Sequence, residues 1–187
     1  MPAVLRLLRR DHVNLNRLLR VFEAQLEAFD TAEEPDYDLM IDILDYCASN
    51  PDKYHHPLED RVLDKLKRRD PEAASKVGDL DELHRALAEE TMSLLRMADD
   101  ARDDREVSLA DLSAASRRFI EHYRQHIAME EGYFFPAAEA ALEEADWRDI
   151  ENNWYGPADP VFGDREGDHY RRLRREVLVE HGGADRG

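Results

Sequence analysis

Four imidazoles and two carboxylates recur along this chain at spacings suited to holding metal ions. His55 is followed four residues later by Glu59, and His126 by Glu130. On an α-helix a four-residue step returns to the same face one turn on, so an imidazole and a carboxylate so placed can reach one centre. The chain has 8 histidines and is rich in acid, and roughly one HxxxE pair is then expected by chance, so neither pair says much alone. Their surroundings say more. His12 precedes His55 by 43 residues and His84 precedes His126 by 42, so the first half of the chain offers His and then HxxxE, and the second half repeats the order. Local context repeats too. HHPLEDRVL and HIAMEEGYF each carry His, then Leu or Met, then Glu, then a second acid, then two apolar or aromatic positions.

Two such halves meeting face to face would bring His12, His55, His84, His126, Glu59 and Glu130 to the middle of one helical bundle, where each carboxylate can bridge two ions through its two oxygens. Six polar side chains on core-facing stripes would be costly without partners, at about 1 to 3 kcal/mol for each unpaired polar group and more for a charge. Coordination removes that cost; a hydrogen-bonded core network would also do so. Imidazole and carboxylate suit iron, manganese and zinc alike. A structural zinc site would more often recruit cysteines, and the chain has one, Cys47. The Glu-x-x-His pattern of ferritin-like di-iron bundles does not occur at these positions.

Helices are the elements that must position these residues. Apolar residues recur at helical spacing almost throughout, with no sustained period-2 alternation, so the fold is expected to be all-α. Leu5, Leu8, His12, Leu15, Leu19, Phe22 and Leu26 mark one face of a first helix over about 3 to 29. A second helix is expected over about 37 to 68, with a break near 50 because Pro51 and Pro57 each lack an N–H. A third, from about 71 or 80 to 103, carries Leu80, Leu83, His84, Leu87, Leu94 and Leu95. Ser108 can cap a fourth helix that runs to about 145. Short connections make this an up-down-up-down four-helix bundle over residues 1–146.

Residues 147–187 then form a C-terminal helical extension packed on that bundle. The Gly and Pro of WYGPADPVFGDREGD interrupt it, HYRRLRREVLVE resumes as a helix, and GGADRG is expected to be disordered. Trp147, Trp154 and Tyr155 either anchor this tail across the bundle end or form a homodimer interface. Phe119, Met129, Phe134 and Phe135 are expected in the core rather than along a gas channel.

A formal net charge of -17 would repel phosphate backbones, which argues against nucleic acid. One cysteine cannot form an internal disulfide, the arginine-interleaved N-terminus does not read as a signal peptide, and no apolar run is long enough to span a membrane. A cytoplasmic protein is expected. No nucleophile–base pairing, phosphate-cradling glycine loop or dinucleotide fingerprint points to another kind of enzyme, and the sequence leaves enzymatic turnover open.

Residues 3–145, most specifically YHHPLED and HIAMEEGYFFP, resemble the hemerythrin-like, HHE cation-binding domains, whose pattern is His, HxxxE, His, HxxxE on four helices. The resemblance implies a non-haem di-iron centre of two iron ions, with manganese or zinc as substitutes in isolated protein. It implies His12, His55, His84 and His126 as terminal ligands and Glu59 and Glu130 as bridges. It further implies a protein that binds, senses or reacts with a small redox ligand such as dioxygen, peroxide or nitric oxide. The alternative is an iron-handling or metal-dependent regulatory module without turnover. Dioxygen carriers of this type place a second histidine four residues after the one on the third helix, whereas this chain has Ala88 there. His122, one turn before His126, is either a substitute ligand or a bundle-end residue. His56 and Asp60 lie about 100° around the helix from His55 and Glu59 and are expected beside the site or on the surface. Tyr54 is a further candidate, as a phenolate.

Overall fold

The computed structural model describes residues 1–31, 33–154, 159–163 and 170–184, with side chains as far as Val177. Among the described residues it is all-helical, with no strand. The long first helix α1 (Ala3–Thr31) carries His12 among buried Leu5, Leu8, Leu15, Leu18 and Leu19. Asp36 caps α2 (Tyr37–Asn50) by accepting from Leu39 N at 3.1 Å. A π-helical turn, Pro51–His55, leads directly into α3 (His56–Arg69). The short α4 (Pro71–Val77) ends at Gly78, whose φ of 86° favours glycine, and Asp79 caps α5 (Leu80–Arg102). Ser108 accepts from Asp111 N and caps α6 (Leu109–Met129). A second π-helical turn, Glu130–Phe134, joins α6 to α7 (Phe135–Ala141). The chain continues as α8 (Glu144–Asn152) and α9 (Arg171–Ala184).

The expected break near residue 50 is therefore a change of helix type, and the expected fourth helix contains a second one. Both have the same cause. A proline inside an α-helix removes an N–H and drives its ring against the carbonyl four residues back. Pro57 and Pro136 each stand two residues after a π turn, and the N–H just before each reaches back five residues, His56 to Pro51 and Phe135 to Glu130. The wider turn takes the extra residue that the proline forces into the helix.

Buried apolar residues form two clusters with the histidines and glutamates between them. One gathers Leu15 to Leu26 of α1, Leu39 to Cys47 of α2, Leu87 to Ala98 of α5 and Leu112 to Ile127 of α6. The other gathers Val4, Leu5 and Leu8 with Leu58 to Leu66 of α3, Leu80, Phe134, Phe135 and Ala138. Phe119 is buried in the first cluster, and Met129 packs against the second. The C-terminal residues enter both clusters: Trp147 and Ile150 the second, Val161, Tyr170, Leu173 and Val177 the first. Asp159 ties the segment before α9 down, accepting from Tyr46 Oη at 2.6 Å and from Val161 N and Phe162 N at 2.8 Å. Tyr155 lies outside the described residues, as do 185–187 of the expected disordered tail, while α9 runs as far as Ala184. No helix among the described residues is long and apolar enough to cross a membrane.

Candidate metal centre

The polar layer contains all six residues singled out by spacing. His12, His55, Glu59, His84, His126 and Glu130 are each buried. Glu130 Oε2 lies 3.1 Å from His12 Nε2, and its Oε1 lies 3.0 Å from His126 Nε2 and 3.6 Å from His84 Nε2. Glu59 divides in the same way, with Oε1 3.2 Å from His55 Nε2 and Oε2 3.5 Å from His84 Nε2. His12 Nε2 and His55 Nε2 are 3.0 Å apart. Each carboxylate thus gives one oxygen to the His12–His55 side and the other to the His84–His126 side.

These separations are short, yet both oxygens of both glutamates, His84 Nε2 and His126 Nε2 have no aligned hydrogen-bond partner. Buried polar atoms normally find partners because leaving them without one costs about 1 to 3 kcal/mol each. Neighbouring donors at right angles on an ion with bonds of about 2.1 Å lie about 3.0 Å apart, which is the spacing of the closest pairs here. Unpartnered lone pairs gathered at coordination distance fit metal better than they fit a hydrogen-bonded core network. His12, His55, Glu59 and Glu130 offer ligand atoms within 4.8 Å of one another, and so, as a second group, do His56, His84 and His126.

Carboxylates brace some imidazoles from outside. His12 Nδ1 is 2.9 Å from Glu131 Oε1, and His55 Nδ1 is 3.6 Å from Asp11 Oδ2. Burial disfavours charge on His55, but the facing Glu59 carboxylate and Asp11 outweigh it and carry the imidazole up to about 10. Burial raises the Glu59 carboxyl above its usual range, and nearby Glu130 adds to that against the pull of His55. Glu130 goes the other way: burial would raise it, and the imidazoles of His12, His126 and His84 hold it well below the usual carboxylate range. The metal-free site therefore keeps a proton on the His55–Glu59 side.

Other candidates fall in different places. His122 is 52 % exposed in its side chain, pairs with Glu90 at 2.9 Å, lines the same groove as His126 and belongs to neither group of candidate ligands. Asp60 belongs to neither group of candidate ligands. Tyr54 lines a cavity of about 390 Å³ together with Asp11, His55 and Asp159. His56 sits closer to the centre than its helical phase suggested, stacked on His84 with centroids 3.6 Å apart. Burial pushes the Cys47 thiol up to about 12, which takes it out of thiolate chemistry. Leu83 is 43 % exposed and lines a groove of about 350 Å³ with Ala86, Leu87, Met129 and His126.

A family model described as the hemerythrin HHE cation binding domain matches residues 3–145. No curated protein and no solved structure matches the chain.

Proposed function

The chain belongs to the hemerythrin HHE cation-binding family, and from that premise we propose that it is a non-haem di-iron protein that binds, senses or reacts with a small redox ligand. The observation that carries this reading is the division of Glu59 and Glu130, each with one oxygen toward either histidine pair. His12 and His55 would hold one ion, His84 and His126 the other, and the two glutamates would bridge them. Successive helices pass alternately between the two apolar clusters, which supports an up-down-up-down bundle over 1–146 with 147–187 as an extension packed on it.

Iron held in this way would supply a reversible change of oxidation state and a coordination position for dioxygen, peroxide or nitric oxide. The protein's own part is to orient the donors and keep water out. Leu8, Phe134 and Phe135 close the layer on one side, and Phe135 stacks on His12 with centroids 5.2 Å apart. Glu131 fixes the ring of His12 through its outer nitrogen, so that Nε2 faces inward, and Asp11 stands 3.6 Å from the outer nitrogen of His55. The groove at Leu83 and Met129 gives a neutral, apolar ligand a route to the His126 side.

Adding dioxygen, nitric oxide or peroxide to the anaerobic, iron-loaded protein should change its near-ultraviolet and visible absorption within the mixing time of a stopped-flow experiment. An unchanged spectrum with all three would contradict reactivity. The second reading, a metal-dependent regulatory or iron-handling module, is favoured by the layer's position between the two apolar clusters, where removing metal leaves unpartnered polar atoms in the middle of the core. It predicts a large loss of helicity on chelation, measured by circular dichroism.

A further inference from the structure

His56 is not among the six residues on which the di-iron reading rests, yet one of its ring nitrogens lies within 4.8 Å of ligand atoms of both His84 and His126. Its Nδ1 is 2.8 Å from Asp52 Oδ1. A carboxylate there takes the Nδ1–H and leaves the Nε2 lone pair free, the tautomer that most metal-bound histidines are held in by an outer carboxylate or carbonyl. His12 faces Glu131 in the same manner at 2.9 Å, and His55 Nδ1 stands 3.6 Å from Asp11 without a hydrogen bond, whereas no carboxylate is paired with His126 Nδ1. Asp52 stands on the π turn and His56 opens α3, so the backbone feature that brings His55 to the layer brings this pair too.

We propose that His56 is a seventh metal ligand, the third imidazole on the ion held by His84 and His126. The inference rests on the two-ion reading above. It gives the two ions unlike surroundings: two imidazoles and two carboxylate oxygens on one, three imidazoles and two carboxylate oxygens on the other. It also supplies the imidazole that α5 lacks at Ala88, one turn after His84. The His56 and His84 rings lie parallel, 7° apart. Parallel stacked rings cannot both direct in-plane lone pairs at one point, so ligation opens the stack. Asp52, 54 % exposed, is free to follow the ring.

Anaerobic titration of metal-free protein with Co(II), followed by visible absorption and equilibrium dialysis, tests this. Wild-type protein should bind about two ions per chain. His56→Gln should bind one ion as tightly as wild type and the other at least about tenfold more weakly, with Asp52→Asn falling between them. In the Co(II)-loaded wild type, each ligated histidine keeps one ring N–H, and the unpaired electrons move its proton resonance out of the ordinary window. Five such resonances are expected, from His12, His55, His56, His84 and His126; this count needs no variant and holds even if His56→Gln fails to fold. Two ions in wild type with four shifted resonances, or unchanged affinities in a folded His56→Gln, would overturn the role of His56 alone. Fewer than two ions in wild type would overturn the two-ion reading and this inference with it.

Discussion

The two halves of the polar layer come from matching stretches of sequence but have unlike environments. In the first half the π turn Pro51–His55 precedes the HxxxE pair's glutamate and carries its histidine, whereas in the second the π turn Glu130–Phe134 begins at the glutamate itself. His12 and His55 each face an outer carboxylate. His126 has none, and its ring lines an apolar groove beside Leu83 and Met129. Repetition of a ligand pattern thus fixes which atoms converge, while the surrounding shell sets what each half can do. The His12–His55 half stands beside outer carboxylates and a mixed-polarity cavity, and the His126 side lines a groove with mainly apolar walls.

Removing a bridge should erase the contrast altogether. Glu130→Gln keeps the shape but weakens a donor whose two oxygens face His12, His84 and His126. Loss of both ions is expected, an affinity decrease beyond the roughly 10 to 100-fold typical of residues outside the coordination sphere. Metal content after dialysis checks it, and full retention of two ions would remove Glu130 as a bridge.

Acidity sharpens the comparison next. His55 sits at about 10 in the metal-free fold against an unfolded value of 6.5. A raised imidazole contributes stability that is fully present below about 6.5 and is lost as pH rises through about 10. Metal-free protein should therefore melt at progressively lower temperature from pH 7 to pH 10, and His55→Gln should lack that slope. Over the same window metal affinity should rise by about tenfold per pH unit, because binding must displace the His55 proton. Calorimetry of metal-free protein and metal titrations at three pH values measure both, and a flat affinity profile would contradict the proton on this half.

The smallest effects lie in the outer carboxylates. Asp11→Asn and Glu131→Gln should each weaken metal binding by about 10 to 100-fold. His122→Ala should leave it unchanged, since that imidazole pairs with Glu90 at the surface. A loss in His122→Ala as large as in the other two would contradict the role of the outer carboxylates.

Much of this was legible in the sequence. Spacing alone selected six residues that the fold buries in one polar layer, because a four-residue step keeps to one helical face. The all-helical class followed from apolar periodicity, and Pro51 and Pro57 announced the first irregular turn. The second turn has no such signal in the repeat: Pro57 follows His55 by two residues, whereas Pro136 follows His126 by ten, and only relative to their π turns do the two prolines match. That is why the fourth helix is expected to be continuous. The outer carboxylates Asp11 and Glu131 come from positions next to ligands, and no sequence signal separates them from the many other surface acids of a chain with 43 acidic residues.

The central claim is that Glu59 and Glu130 link two metal sites in one chain. Anaerobic reconstitution of metal-free protein with Fe(II), followed by desalting and elemental analysis against protein concentration, tests it most directly. About two iron ions per chain in wild type, falling to less than half an ion in Glu130→Gln, is the expected result. One ion per chain in wild type, or an unaltered two in Glu130→Gln, would contradict it.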